Sequence, residues 1–169
     1  DKRMLERFTG YRDLDPSTFG RTLISYYDDN DFPLPGTPGA FFSNSLWTHD
    51  FHHVLSVYPS TPLGESCVLA FDGGMMYLDM GKALIAYTAQ FQIGIQFDKG
   101  LRTWKNQFKP DVVMRAFERG GNCSVDYIQY DFDFGDRVTR SLAEVRAEFG
   151  IDPEGALISA PDDKWCGDM

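Results

Sequence analysis

The sequence predicts an all-α protein, a single compact helical bundle over residues 1–152 with a C-terminal tail at 153–169. Three observations carry that reading. Apolar residues recur at three- and four-residue spacing through most of the chain. Helix-start chemistry stands at Asp15-Pro16, at Thr61-Pro62 and at Ser141-Leu142-Ala143-Glu144. No hairpin dipeptide lies between alternating strands, and no internal repeat is visible. A chain of 169 residues is the size of one domain with a sizeable core.

The elements follow in order. Asp15 as N-cap and Pro16 at the first helical position open a helix carrying Phe19, Leu23 and Tyr26 or Tyr27. The acidic run from Asp28 to Asp31 and the Pro/Gly-rich stretch Pro33–Gly39 end it in a loop. A second helix is expected from about Ala40 to Ser56. Tyr58-Pro59-Ser60-Thr61-Pro62 is a short break. A third helix carries Leu63, Cys67, Leu69, Ala70 and Phe71, and Gly73-Gly74 is expected to break or kink it. Another helix should run from about Met75 toward Gln96. Residues 99–109 read as irregular, and Pro110–Arg119 as a short helix stopped by Gly120-Gly121. The acidic-aromatic stretch 124–136 fits either strand or helix. The capping box at Ser141 opens a last helix that Gly150 ends.

Composition narrows the function classes. Sixteen Lys and Arg against 25 Asp and Glu leave a formal charge of −9. That balance argues against a nucleic-acid binder, whose affinity rests on clustered basic residues, and against a polybasic membrane anchor. At 43% hydrophobic and 15% aromatic residues, the chain is too apolar for a disordered acidic tail. No apolar run approaches the roughly 18 residues of a membrane span. No targeting segment is read at the start of the chain, and the expected location is the cytoplasm, with a peripheral membrane contact left open. Cys67, Cys123 and Cys166 are odd in number and lack C-x-x-C spacing, so neither a disulfide framework nor a thiolate zinc site is expected.

The chemistry concentrates at Thr48-His49-Asp50-Phe51-His52-His53. All three histidines of the protein lie here. His49 and His53 are four residues apart and share a helix face, and Asp50 borders it. Glu65 follows His53 after eleven residues, in the first turn beyond Pro62. A short loop, Val57–Thr61, folds the two helices antiparallel and sets Glu65 level with His53. Two neutral imidazoles and two carboxylates then carry a charge of −2 that a divalent cation neutralises. Zinc is the first expectation, with iron(II) or manganese as alternatives for a mixed N/O ligand set. His52 points about 100° from His53 on the wheel. It reads as a packed or solvated residue with a supporting role to the ligands left open.

Other features are weaker. Met75, Met76, Tyr77, Met80, Tyr87, Phe91 and Phe97 read first as core, and alternatively as one wall of an apolar pocket. Asp126, Asp131, Asp133 and Asp136 read as a solvated acidic face. Lys105, Lys109, Arg115 and Arg119 read as surface charge. No phosphate loop, nucleophile elbow or dinucleotide fingerprint is present.

The motif His49-Asp50-Phe51-His52-His53, with Glu65 eleven residues on, resembles the signature of the fourth Coq family of coenzyme Q (ubiquinone) biosynthesis. His53-Val54-Leu55, Leu63-Gly64-Glu65, Thr18-Phe19-Gly20 and the closing stretch Leu142–Ile151 are similar to that family's flanking segments. The resemblance implies an all-helical fold and a divalent metal held by His49, Asp50, His53 and Glu65. It implies a prenylated, ring-bearing substrate of hydroxybenzoate type, whose ring carboxylate is lost with hydroxylation at the same carbon. Met75, Met76, Tyr87 and Phe91 would then line the prenyl chain. It also implies biosynthetic partner enzymes, and a homodimer is compatible with it. The alternatives are a non-catalytic, metal-stabilised lipid-binding scaffold, or a family member serving another natural-product pathway.

Overall fold

The computed structural model describes residues 1–40, 46–76, 80–97, 103–124 and 134–157. It is helical: α1 (Lys2–Gly10), a 3₁₀ turn (Tyr11–Asp13), α2 (Phe19–Asp29), α3 (Leu46–Ser56), α4 (Pro62–Met75), α5 (Met80–Tyr87) running into a π-helical turn (Thr88–Ile93), α6 (Pro110–Gly121), α7 (Leu142–Phe149) and the short α8 (Glu154–Leu157). Among the described residues there is no sheet, and one isolated backbone bridge joins Thr18 to Ser141.

The aromatic excess is the core. Phe8, Phe19, Phe51 and Phe134 are all fully buried and pack edge-to-face or stacked, with Phe51 and Phe134 ring centroids 4.6 Å apart. Phe134 belongs to the acidic-aromatic stretch, so at least this aromatic faces inward; Asp126, Asp131 and Asp133 lie outside the described residues. Cys67 and Cys123 form no disulfide, and burial pushes the Cys67 thiol up to about 12.

Several helix boundaries differ from the sequence expectation, among them the helix expected from about Met75 toward Gln96, which is described from Met80 to Tyr87 and continues as the π-helical turn to Ile93. α1 is absent from that expectation; Lys2–Gly10 buries Phe8 and packs Met4 partly against the core, with Asp1 as its N-cap. α2 begins at Phe19 rather than Pro16. Asp15 spends its carboxylate on the Ser17 N–H and hydroxyl, and Thr18 becomes the N-cap. The Phe19 and Gly20 N–H groups donate to the Arg140 and Val138 carbonyls, so a distant segment satisfies this helix end. α4 runs unbroken through Gly73-Gly74 to Met75. A β-carbon on Gly74 would overlap the Phe117 carbonyl, and one on Gly120 would overlap the Phe71 carbonyl. These glycines let α4 and α6 touch backbone to backbone.

The caps at Thr61 and Ser141 form as expected. The Thr61 hydroxyl accepts from the Gly64 N–H at 3.1 Å. Ser141 and Glu144 form a reciprocal capping box, and Gly150 ends α7 with φ +71°. Pro110 opens α6, which reaches Gly121. The described start of the C-terminal stretch forms α8, with Ala156 buried. Among the described residues no helix is long and apolar enough to cross a membrane.

Candidate metal centre

The α3–α4 hairpin builds the site. Val57 adopts φ +67° just after α3, and Thr61 caps α4, so five residues reverse the chain. Gly64 is required in this turn, because a β-carbon there would overlap the Pro59 carbonyl. The end of α3 is held from outside. Arg146 on α7 donates to the carbonyls of Val54 and Leu55 at 2.6 and 3.0 Å. Arg119 on α6 donates to the Ser56 carbonyl at 2.7 Å, and its guanidinium lies over the Tyr58 and Phe71 rings. Two cations thus occupy the negative end of α3 and satisfy its orphan carbonyls. Arg119 is therefore a structural anchor rather than scattered surface charge.

On this frame three of the four expected ligands converge. His49 Nε2 lies 3.1 Å from Glu65 Oε2 and 3.1 Å from His53 Nε2. His53 Nε2 lies 3.3 Å from Glu65 Oε1. Two ligand atoms at 2.0–2.1 Å from one ion are separated by about 2.9 Å at right angles and about 3.4 Å at the tetrahedral angle. The observed spacings fall in that interval. Asp50 is beside the cluster and not part of its convergent set. Its Oδ2 accepts the hydroxyl proton of Tyr27.

The surroundings orient the donors. A carbonyl can only accept, so His53 Nδ1 carries a proton and donates to the Tyr58 carbonyl at 2.9 Å. That leaves Nε2 facing His49 and Glu65, the arrangement typical of a metal-bound histidine. Tyr26 stacks on the His53 ring with centroids 5.5 Å apart. Ser60 donates its hydroxyl to Glu65 Oε1 at 3.1 Å. His53 is almost fully enclosed, whereas the side chains of His49 and Glu65 are 23% and 22% exposed. The cluster is therefore walled at its floor and open on one side.

Its electrostatics are strained without a cation. Burial alone favours neutral His49, but the hydrogen bond and charge of Glu65, with the charges of Asp72 and Asp50, push it up to about 9. Burial opposes ionisation of Glu65 too, and the two imidazoles outweigh it, holding the carboxyl well below the usual carboxylate range. Burial raises Asp50 against the pull of the Tyr27 hydroxyl and the imidazoles. In the metal-free protein, a proton on His49 does the work that a divalent ion would do.

Sequence reasoning missed the partners that cross between elements. Tyr27, Tyr26, Ser60 and the Tyr58 carbonyl all touch ligand side chains. His52 is buried and paired with Asp72, with Nδ1 2.8 Å from Oδ2. One donor atom each from His49, His52 and Asp72 also lies within 4.8 Å of the others. The i, i+3 spacing of His49 and His52 was the available signal; Asp72, twenty residues further on, offered none.

The four residues expected to line a prenyl chain separate. Met75, Tyr87 and Phe91 belong to the core, with the Tyr87 hydroxyl donating to the Leu69 carbonyl and Phe91 stacked on Trp104. Met76 is 46% exposed. An open apolar groove of about 340 Å³ lies instead along Leu84, Ile85, Thr88, Ala89 and Ile93.

No family model matches the chain, and neither a curated protein nor a solved structure matches it. What fold and site define is a helical protein with a buried His/Glu/Asp group that could hold a metal ion.

Proposed function

We propose that the protein binds a divalent metal ion through His49, His53 and Glu65, with Asp50 alongside. We further propose that it acts on a ring-bearing, prenylated hydroxybenzoate-type intermediate of quinone biosynthesis. The carrying observation is the convergence of three donor side chains, His49, His53 and Glu65, with nearest donor atoms 3.1–3.3 Å apart and one imidazole locked by a backbone carbonyl. The reaction class is supported by the resemblance of the His49-Asp50-x-x-His53…Glu65 motif to the quinone-biosynthesis family.

The residues present fit such an ion. A bound divalent ion supplies Lewis acidity, which polarises a ring carboxylate or phenolate and favours departure of carbon dioxide. The chain supplies the rest. Tyr58 and Tyr26 fix the His53 ring. Ser60 holds one Glu65 oxygen, and Tyr27 holds Asp50 in place. The exposed edge of His49 and Glu65 leaves room for a substrate oxygen, as a catalytic site requires. Zinc suits this N/O set, as do iron(II) and manganese.

A second reading is a non-catalytic, metal-stabilised scaffold that carries an isoprenoid tail for partner enzymes. The open apolar groove beside α5 favours it, since it offers hydrocarbon contact away from ionisable groups.

Two measurements test the proposal. Metal analysis of purified protein should find a divalent ion in the wild type and little in Glu65→Ala. Zinc-, iron- and manganese-loaded protein should then be incubated with a prenylated hydroxybenzoate and dioxygen, and released carbon dioxide measured. Release that is lost in Glu65→Ala supports the enzyme. Tight binding of the prenylated compound without turnover supports the scaffold. Equal affinity for prenylated and chain-free hydroxybenzoates would overturn the proposed substrate class.

A further inference from the structure

His52 and Asp72 face each other across the α3–α4 hairpin and are 4% and 9% exposed. The Asp72 carboxylate accepts, so the His52 Nδ1 proton points at Oδ2 over 2.8 Å. The other oxygen, Oδ1, is buried and has no hydrogen-bond partner among the described residues. A buried carboxylate oxygen without a donor bears the cost of lost hydration with nothing in return. Replacing such a pair with apolar residues would be neutral or better for stability alone.

Its position suggests what the pair is for. His49 lies close enough to His52 and Asp72 for one donor atom of each to fall within 4.8 Å of the others. The 2.8 Å between His52 Nδ1 and Asp72 Oδ2 is near the separation of two ligands at right angles on one ion, about 2.9 Å.

We propose that His49, His52 and Asp72 form a second cation-binding set, adjoining the first and sharing His49, that takes a divalent ion of borderline softness such as zinc. The proposal rests on the reading of the first site only through that shared histidine. Ligation requires a tautomer change and no redox step. The proton on His52 Nδ1 leaves, Nε2 takes one up, and the Nδ1 lone pair and an Asp72 oxygen turn to the ion. Asp72 Oδ1 becomes available as a further donor to it. An imidazole has two nitrogens, so His49 can serve either set.

The test is zinc titration by calorimetry of the wild type, Glu65→Gln, Asp72→Asn and the double variant, with helical circular dichroism as the control for folding. Glu65→Gln should weaken the first set yet still bind zinc, and adding Asp72→Asn should weaken what remains by about tenfold or more. A double variant that binds zinc as tightly as Glu65→Gln would overturn the proposal. Failure of the first site would look different: wild-type affinity would survive Glu65→Gln unchanged. Nitrogen-15 spectra of the histidine rings give a readout independent of folding at Asp72. In zinc-saturated Glu65→Gln, the His52 Nδ1 resonance should move to the range of a metal-bound nitrogen. A resonance that stays put would also overturn the proposal.

Discussion

Along the buried face of the α3–α4 hairpin stand His49, Asp50, His52, His53, Glu65 and Asp72, six ionisable groups within two helices. From Met80 to Phe97 the chain carries one charged residue, Lys82, yet Ile85, Ile93, Ile95 and Phe97 are 46–73% exposed. One region buries what water would welcome; the other exposes what water rejects. Neither arrangement is the most stable use of its residues. The difference teaches where the fold is held rigid. The hairpin is clamped at the C-terminal end of α3 and along α4, by Thr61, Arg119, Arg146 and close glycine contacts. The α5 flank is a short helix ending in a π-helical turn at Gly94, φ +81°. Polar burial needs a frame; an apolar surface needs only an occupant.

The clamp can be broken at its tightest point. Gly120→Val puts a side chain into the Phe71 backbone on α4, where no side-chain rearrangement makes room. A loss of about 3 kcal/mol is expected in urea denaturation, at the upper end of overpacking costs. A loss under half of that would mean the α4–α6 contact is looser than its geometry. Next in size is Arg146→Met. It strips the Val54 and Leu55 carbonyls of their charged donor and should cost about 2 kcal/mol. It should also lower zinc affinity, since His53 stands on the turn those carbonyls close.

A smaller effect comes from pH in metal-free protein. His49 is raised to about 9 from 6.5, so its contribution is complete below 6.5 and is lost as pH climbs through 9. Glu65 is lowered from 4.5, so its contribution is present above 4.5 and is lost as pH falls. Metal-free stability from this pair should therefore be greatest between about 4.5 and 6.5 and decline toward 9. Zinc binding at pH 7 should release protons, seen as a binding heat that varies with the ionisation heat of the buffer. The smallest effect sharpens the contrast. Ile85→Ser with Ile93→Ser should change stability by less than about 0.5 kcal/mol per site and leave metal affinity untouched, because both residues are exposed. A large loss of stability would show that the α5 flank is part of the frame.

The parts of this account legible in the sequence are those set by local geometry. The i, i+4 histidines, the Thr61-Pro62 cap and the five-residue loop determine that Glu65 meets His53. The capping box at Ser141 and the stop at Gly150 are equally local. What escaped reading depends on how helices cross. Gly73-Gly74 has the composition of a helix break, and only the approach of α6 reveals it as a contact surface. Pro16 looks like a first helical residue until the Val138 and Arg140 carbonyls claim the amides of Phe19 and Gly20. Asp72 lies twenty residues from His52, and no spacing rule joins them. Arg119 reads as ordinary surface charge, and Arg146 draws no notice as an anchor, because their acceptors are backbone carbonyls, which carry no sequence signature.

The most direct measurement of the central claim is X-ray absorption at the zinc edge of protein loaded with one equivalent of zinc, in the wild type and in His49→Ala. The predicted wild-type spectrum contains imidazole nitrogen and carboxylate oxygen at about 2.0–2.2 Å, with the imidazole scattering reduced or rearranged in the variant. A spectrum with oxygen ligands alone, or one identical in both proteins, would contradict a metal centre at His49, His53 and Glu65.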